Sequence, residues 1–232
     1  MNISLKNTYE GGERINEKPL IFLFENFLVS DEVEHFLKAA RDRLIPSLVT
    51  SDKGNRKSPG RTSSNCWVSH DHNAVIEHVA RRVSKLIDIP LINAESFQVV
   101  YYAQNQHYQP HYDAWKLGTK TAEEFLQRGG QRLVTCLFYL NDVEKGGATF
   151  FPKLDLEIKA KKGSMLLFHN CREKSSQRHP QSLHRAMPVL SGDKWACNLW
   201  FRERSYWPSE RSFYNPYCKR QTRIVTPKEN GK

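Results

Sequence analysis

The stretch FQVVYYAQNQHYQPHYD, residues 97–113, decides how the rest of the chain is interpreted. Its first part, residues 97–103, is rich in β-branched and aromatic side chains, which is typical of a strand. Its last three residues, His111-Tyr112-Asp113, form the only His-x-Asp or His-x-Glu of the sequence. Because side chains alternate along a strand, His111 and Asp113 are expected to share a face and to bind one metal ion.

A second histidine, far along the chain, completes a set of metal ligands. His184 opens another strand-like run, as expected where two distant strands of one barrel converge. Two histidines and one carboxylate hold non-haem Fe(II) on one face and leave the opposite face open for substrate and oxygen. Lys194 follows across a short hairpin in apolar surroundings, where a lysine needs an anion. A dicarboxylate cosubstrate supplies such an anion at its far end, so the pattern indicates an oxygenase.

Outward from this stretch, the chain is predicted to have an α+β fold that is mainly β. Residues 30–43 and 73–87 repeat apolar side chains with roughly the helical period, and Ser30 and Asp71 are candidate N-caps. Strand-like runs separated by turn-rich pieces lie at residues 20–27, 97–103, 133–140, 148–151, 164–168, 183–189 and 195–201. This order predicts a double-stranded β-helix (jelly roll) with N-terminal helices packed on one sheet.

Two long segments are expected to be loops. Residues 51–64 are rich in Lys, Gly, Ser and Arg, which is typical of an exposed connection. Residues 115–131 contain three glycines and come directly after the first metal ligands. Long ordered loops beside a site are often lids, so closure of both segments over a bound substrate is a hypothesis.

Length and charge limit the classes of protein. The 232 residues, with a net charge of +10, predict one domain at residues 18–207 between a tail at 1–17 and a basic tail at 208–232. No nucleic-acid-binding motif accompanies the charge, so a solvated tail and loop are favoured over a nucleic-acid partner. The absence of a signal-peptide pattern and of an apolar run near ~20 residues predicts a cytoplasmic protein without a membrane partner. Five cysteines without a C-x-x-C are expected to be reduced thiols.

Competing sites are weaker. His70-Asp71-His72 is a second candidate metal set, but it precedes a helix, where Asp71 suits a polar helix start. The sequence has neither the G-x-S-x-G elbow of many hydrolases nor a P-loop for nucleotides. Hydrolase and kinase functions are therefore disfavoured.

A series of motifs gives the chain a recognisable pattern. In order along the sequence these are Tyr102-x-x-x-Gln106-x-Tyr108-x-Pro110-His111-x-Asp113, Gly129-Gly130-Gln131-Arg132, Gly146-Gly147-x-Thr149-x-Phe151-Pro152, and His184…Lys194-Trp195…Trp200. From about residue 20 to residue 203 the chain closely resembles the prolyl 4-hydroxylases, which are Fe(II)- and 2-oxoglutarate-dependent dioxygenases of the collagen type. In addition, Arg61-Thr62-Ser63 matches a family signature in the loop that closes over the peptide.

The resemblance implies a role for each matching residue. His111, Asp113 and His184 would bind Fe(II). Lys194 would pair with the distal carboxylate of 2-oxoglutarate, helped by the hydroxyls of Tyr102 and Thr149. Further matches are the catalytic positions Tyr108, Arg132 and Trp200 and the substrate-binding positions Arg61, Ser63 and Arg202. The resemblance also implies ascorbate as a cofactor, a proline-containing peptide or protein as substrate, and succinate and CO2 as products.

The chain departs from the family pattern at two positions. Where the family usually has K-W-x-x-x-K-W-x-H, Leu199 replaces the second lysine and Arg202 replaces the histidine. This departure bears on substrate choice. Hydroxylation of another residue or of a free amino acid therefore stays open, as does a non-catalytic jelly-roll protein with a structural metal. The oligomeric state also stays open.

Overall fold

The computed structural model describes residues 4–51 and 54–207. The helices are α1 (Ser30–Ala40), α2 (Ala74–Ile87) and α3 (Lys120–Gln127). The strands are β1 (Glu13–Glu17), β2 (Leu20–Phe24), β3 (Ile45–Pro46), β4 (Val49–Ser51), β5 (Gly54–Arg56), β6 (Ser64–Val68), β7 (Phe97–Tyr102), β8 (Tyr108–His111), β9 (Arg132–Tyr139), β10 (Lys145–Gly146), β11 (Thr149–Phe151), β12 (Leu156–Ile158), β13 (Met165–His169), β14 (His184–Ala186), β15 (Val189–Ser191) and β16 (Lys194–Arg202).

Two sheets form the body of the protein. The larger has eight strands in the order β1-β2-β13-β9-β16-β7-β6-β3, and the smaller has four in the order β12-β11-β14-β8. Every strand pair within both sheets is antiparallel. Side chains of both sheets, among them Tyr139 and Phe151, pack together in one apolar cluster. The predicted jelly roll is confirmed.

Alternate residues of the central strands face two different layers. On β16, Cys197, Leu199 and Phe201 pack in the main apolar cluster together with the helices. Lys194 and Trp200, on the opposite face, line a cavity between the sheets. Because both faces are covered, the strand reads in the sequence as a nearly continuous apolar run.

The N-terminal helices pack on the larger sheet, as predicted. Helix α1 buries Val33 and Phe36, and α2 buries Val79 and Val83 in the same cluster. The predicted caps are wrong by one or two residues. The backbone N–H of Val29, not Ser30, is bound by the Glu32 carboxylate at 3.0 Å, which places the cap at Val29.

Helix α2 is capped by Asn73, not by Asp71. The Asn73 side-chain oxygen accepts a hydrogen bond from the backbone N–H of Ile76 at 2.9 Å. Asn, like Asp, has an oxygen that can bind the free N–H groups of the first helical turn. The polar run 70–73 contains more than one side chain that could cap the helix. The residue directly before the first helical turn is the one that does so.

Both segments predicted to be loops contain regular structure. Strand β5 lies within the first segment and pairs with β4, which ends at the first residue of that segment; residues 52 and 53 lie outside the described part. Helix α3 occupies the middle of the second segment, where the Thr119 hydroxyl accepts from the N–H of Ala122 at 3.2 Å. A threonine directly before an amphipathic run indicates an N-cap, and Thr119 was not predicted to be one.

Some predictions fall at the limits of the described residues. The predicted basic tail at 208–232, including Cys218, lies outside them. The other four cysteines, Cys66, Cys136, Cys171 and Cys197, are buried and form no disulfide within the described residues. In the described ranges, none of the helices combines the length and the apolar character that crossing a membrane requires.

Candidate active site

Three predicted metal ligands converge where β8 and β14 meet. His111 ends β8, His184 opens β14, and the two are paired across the strands. Asp113 lies two residues beyond the end of β8, so the chain after the strand, rather than strand alternation as predicted, brings it to the histidines. One ligand atom from each residue lies within 4.8 Å of the others, the single such group found in the described part of the chain.

Hydrogen bonds orient both histidine rings toward Asp113. Nδ1 of His111 lies 2.9 Å from the carbonyl oxygen of Gln109, and Nδ1 of His184 lies 2.9 Å from that of Ser182. A carbonyl only accepts, so Nδ1 carries the proton and Nε2 keeps its lone pair. The Nε2 atoms lie 3.8 and 3.7 Å from the Asp113 carboxylate oxygens. This is the arrangement in which histidines bind a metal through Nε2.

Asp113 is held by two donors that act on one of its oxygens. Thr135 Oγ1 donates to Oδ2 at 2.7 Å, and Trp200 Nε1 donates to the same atom at 2.9 Å. Asn170 in turn donates from Nδ2 to Thr135 Oγ1 at 2.8 Å. These partners fix the carboxylate while Oδ1 accepts no hydrogen bond from either donor. The donor set of two imidazoles and one carboxylate therefore fits Fe(II).

Thr135 and Asn170, which were not singled out in the sequence, form a hydrogen-bonded chain to Asp113. Thr135 is a polar residue in the otherwise apolar strand β9, and it shares a face with Leu137 and Tyr139. A hydroxyl in such a buried run needs a hydrogen-bond partner. Thr135 could therefore have been predicted from the sequence to contact a polar group. Asn170 follows β13 and has no comparable signal in the sequence.

A cavity of about 710 Å³ lies between the sheets and includes the three ligands. Lys194 lies in its wall, with Nζ donating to the carbonyl oxygen of Gly147 at 2.6 Å. No described carboxylate lies within ion-pair distance of Lys194. Burial lowers the pKa of the Lys194 ammonium to about 7, because a charge without an ionic partner is disfavoured in an apolar wall. A dicarboxylate ligand would supply the anionic partner that the described residues do not give Lys194.

Two hydroxyl-bearing residues accompany Lys194. Tyr102 is paired with Lys194 across β7 and β16, and its ring centre lies 5.6 Å from Nζ. Burial raises the pKa of Tyr102 to about 12, so the phenol keeps its proton at neutral pH. Thr149 lines the same cavity and accepts a hydrogen bond from the Tyr139 hydroxyl at 2.8 Å. The predicted trio of Lys194, Tyr102 and Thr149 is thus gathered around one end of the cavity.

Glu95, which was not singled out in the sequence, is a buried carboxylate that binds two predicted site residues. It accepts from Arg132 Nε and Nη2 at 2.6 and 2.8 Å, and from Arg202 Nε at 2.8 Å. Burial raises the pKa of Glu95, but the two arginines lower it to about 2. Arg132 also stacks on Trp200, with its guanidinium carbon 3.8 Å from the ring centre. Arg132 therefore links Glu95 to the tryptophan that binds Asp113.

Arg202 anchors helix α3. Its side chain is 3% exposed, and Nη1 donates to the carbonyl oxygens of Phe125, Arg128 and Gly130 at 3.0, 3.0 and 2.8 Å. These carbonyls lie at the end of α3, where the last turn leaves acceptors free and where a cation is favourable. The predicted contact of Arg202 with substrate stays a prediction. Leu199 is fully buried on the helix-covered face, away from the cavity.

The ends of segment 115–131 are tied together by one side-chain amide. Gln131 Oε1 accepts from the backbone N–H of Trp115 at 2.9 Å, and Nε2 donates to the Trp115 carbonyl oxygen at 3.0 Å. Gly129, before it, has a φ of 74° and packs so that a Cβ would lie 3.0 Å from Arg202 Cδ. The motif Gly129-Gly130-Gln131-Arg132 is therefore explained by its close packing and by the Gln131 contacts.

The remaining predicted residues lie at the mouth of the cavity. Arg61 donates to the Leu48 carbonyl oxygen at 3.0 Å and to Gln98 Oε1 at 3.2 Å. Tyr108 stacks on His111 with ring centres 3.6 Å apart. Ser63 lies beside the cavity, in an adjoining depression that Arg61 also lines. The structure thus brings every predicted site residue except Ser63 to the lining of one cavity.

Comparison with known proteins gives the same class of protein as the site. Residues 97–202 match the 2OG-Fe(II) oxygenase superfamily. A protein of Acanthamoeba polyphaga mimivirus named "Putative prolyl 4-hydroxylase" is 38% identical over 185 residues, 80% of this chain and 75% of the relative. Prolyl 4-hydroxylase 5 of Arabidopsis thaliana is 35% identical over 216 residues, 84% of this chain and 72% of the relative.

A solved structure gives the same result at the level of the fold. The viral collagen prolyl hydroxylase from Paramecium Bursaria Chlorella virus-1, in complex with 2OG, is 27% identical with a TM-score of 0.64. The alignment covers 78% of this chain and 95% of that one. The chain belongs to the prolyl 4-hydroxylase family of Fe(II)- and 2-oxoglutarate-dependent dioxygenases. The predicted enzyme class and the two predicted cofactors, Fe(II) and 2-oxoglutarate, are confirmed, and the non-catalytic alternative is dropped.

Proposed function

We propose that this protein is a prolyl 4-hydroxylase that hydroxylates proline in peptide or protein substrates, using O2 and 2-oxoglutarate and giving succinate and CO2. The observation that carries the proposal is the convergence of His111, Asp113 and His184 on one cavity. The same cavity contains a buried lysine that has no carboxylate partner among the described residues. Bound iron supplies the oxidative chemistry of this class of enzyme. We assign residues 18–207 to the catalytic domain, together with β1 of the predicted N-terminal tail, because β1 pairs with β2 at the edge of the larger sheet.

In this proposal, the residues of the chain position the reactants. The Lys194 ammonium pairs with the far carboxylate of 2-oxoglutarate, and the Tyr102 and Thr149 hydroxyls add hydrogen bonds to it. Thr135 and Trp200 keep the Asp113 carboxylate in one orientation, and the Nδ1 bonds keep the imidazoles in one tautomer. The ligands and the cosubstrate pocket thus face the same space.

The size of the cavity favours a peptide over a free amino acid. Its volume of about 710 Å³ extends from Lys194 to residues as distant in the fold as Ile45 and Tyr206. Pockets of this size enclose molecules larger than one amino acid. Tyr108 in the cavity lining, and Arg61 and Ser63 in the adjoining depression, are proposed to contact the peptide.

The test measures coupled turnover. Purified protein with Fe(II), 2-oxoglutarate and ascorbate is incubated with proline-containing peptides, with the same peptides carrying alanine for proline, and with free proline. We expect a mass gain of one oxygen on the proline peptides and matching succinate release that requires added iron. Oxygen incorporated into free proline, or into the alanine peptides, would overturn the proposed substrate.

A further inference from the structure

The cavity carries an excess of positive charge. Seven arginines and lysines line it, against two aspartates and glutamates. Both carboxylates are already engaged, because Asp113 is a metal ligand in the proposed function and Glu95 is bound by Arg132 and Arg202. Lys194 is assigned to the cosubstrate. The cations left over have no carboxylate in the lining to balance them.

Four cations remain after these assignments, and they are not equivalent. Arg185 follows His184 on β14, and its guanidinium carbon lies 5.2 Å from the centre of the Phe150 ring. Lys116 lines the cavity at the start of segment 115–131. Arg61 and Arg178, in contrast, lie over tyrosines that are themselves part of the cavity lining.

Arg61 and Arg178 each lie over a tyrosine next to His111. The guanidinium carbon of Arg61 lies 4.7 Å from the centre of the Tyr108 ring, and that of Arg178 lies 4.1 Å from the centre of the Tyr112 ring. Tyr108 stacks on the His111 imidazole, and Tyr112 follows His111 in the chain. The tyrosine hydroxyl of Tyr112 donates to the Pro180 carbonyl oxygen at 3.1 Å, which fixes that ring. Both cations therefore lie against aromatic rings in the lining of the cavity that also contains the metal ligands.

Neither arginine has an anionic partner among residues 4–51 and 54–207. Arg61 donates only to neutral acceptors, the Leu48 carbonyl and the Gln98 amide, and its Nε is buried without an acceptor. The Arg178 guanidinium makes a ring contact but no hydrogen bond within these ranges. Guanidinium groups in a partly enclosed, cationic cavity attract carboxylates and bind them through two hydrogen bonds.

We infer that the substrate is an acidic peptide, in which aspartate or glutamate side chains flank the target proline and bind Arg61 and Arg178. This inference rests on the proposed function and specifies its substrate class. A free C-terminal carboxylate has the same chemistry as an acidic side chain. The experiment therefore uses internal acids in peptides with blocked ends and tests the free terminus separately.

The experiment compares peptides of equal length with one central proline, acetylated and amidated at their ends, and with Glu, Gln or Lys on both sides of the proline. We expect kcat/KM to fall in the order Glu, Gln, Lys, with about tenfold between Glu and Gln, as a charge-assisted hydrogen bond implies. The Glu preference should shrink as salt is added, because charges in a partly open cavity are screened. A fourth peptide with Gln flanks and a free C-terminus should react like its amidated form.

Variants of Arg178 test whether this residue causes the preference for the Glu peptide. Arg178→Gln should lower the preference for the Glu peptide, and Arg178→Glu should reverse it toward the Lys peptide. Arg172→Gln is the matched control, because Arg172 is exposed and does not line the cavity. Retention of the melting temperature and of 2-oxoglutarate binding would show that each variant is folded.

The outcomes separate the inference from the proposed function. Equal turnover of the Glu, Gln and Lys peptides, or a gain confined to the free C-terminus, would overturn the acidic-substrate inference and leave prolyl hydroxylation intact. An unchanged Glu preference in Arg178→Glu would overturn the assignment to Arg178. If none of the peptides gained oxygen, the proposed function would fail and the inference with it.

Discussion

The two faces of the eight-stranded sheet differ in what covers them. Toward α1 and α2, residues such as Phe97, Phe138 and Leu199 are fully buried among apolar neighbours. On the other face, the same strands present polar groups, among them Thr135 and Lys194, to the cavity. The same strands therefore stabilise the fold through the face that packs on the helices and line the cavity with the other face.

Because of this difference, neighbouring residues of one strand have different neighbours and different roles. Leu199 and Trp200 are adjacent, yet Leu199 packs with the helices while Trp200 binds Asp113. Substitutions on the helix-covered face should change the free energy of unfolding and spare binding. Substitutions on the cavity face should change binding and leave the free energy of unfolding nearly the same.

The largest effect is expected at the metal ligands. Asp113→Ala should abolish iron binding and turnover, because two imidazoles alone do not complete the ligand set of this class of site. The fold should persist, since Asp113 lines a cavity and does not build the apolar core. Iron content, succinate release and the melting temperature are measured together, with the exposed Glu157→Ala as control. An Asp113→Ala protein that retained bound iron would contradict the ligand assignment.

On the opposite face, Leu199→Ala should lower the free energy of unfolding by about 2–5 kcal/mol, the range for removal of a fully buried leucine side chain. The KM values for 2-oxoglutarate and for peptide should stay the same, because Leu199 does not reach the cavity. Urea denaturation and steady-state kinetics test the two halves of this prediction. A changed KM for peptide at unchanged stability would mean that the two faces are not independent.

Lys194→Ala should raise the KM for 2-oxoglutarate about 10- to 100-fold, since a charge-assisted pair contributes roughly 1.5–3 kcal/mol. Lys194→Arg should restore only part of the affinity, because a planar guanidinium differs in shape from an ammonium. The KM for peptide should change much less in both variants. A shift in the peptide KM alone would place the cosubstrate elsewhere.

Trp200→Phe removes the indole N–H that donates to Asp113 and keeps most of the aromatic volume. We expect iron affinity to fall about 10- to 100-fold, the usual effect of losing a partner of a metal ligand. The free energy of unfolding should change by only about 1 kcal/mol, the contribution of one hydrogen bond. Iron titration and denaturation test this, and Trp207→Phe, which loses a bond to a backbone carbonyl outside the cavity, is the matched control.

The smallest effect is a pH dependence of cosubstrate binding. Burial lowers the pKa of Lys194 to about 7 in the free protein, so the amine is charged below pH 7 and neutral above it. 2-Oxoglutarate pairs with the charged form, and its Kd should therefore rise with pH above 7, approaching about tenfold per pH unit. Titration calorimetry across this range tests the slope. Lys194→Arg should bind without this dependence, because a guanidinium stays protonated.

The sequence was sufficient to predict the metal-ligand candidates and the strands β2, β7, β9, β11, β13, β14 and β16. Long apolar runs such as β9 and β16 reflect burial on both faces, and His111, Asp113 and His184 form a set with few alternative meanings. These features are local in sequence or chemically specific. They can therefore be inferred without knowing which parts of the chain are neighbours in space.

The sequence was not sufficient to predict the partners of the site. Glu95 is an ordinary polar residue in the run Ala94-Glu95-Ser96, and its partners Arg132 and Arg202 lie far along the chain. A chain with 25 acidic and 35 basic residues allows many ion pairs, and only the fold selects among them. The hairpin of β4 and β5 was missed for a related reason, because its residues lack the apolar alternation that predicts a strand.

The amide of Gln131 makes segment 115–131 a replaceable part. Because it binds both backbone groups of Trp115, the two ends of the segment are joined independently of what lies between them. Doubling the length of a loop with fixed ends costs only about 0.6 kcal/mol of closure entropy. We therefore expect that the residues between Trp115 and Gln131 can be replaced by a segment of different length while β8 and β14, which carry His111 and His184, keep their course.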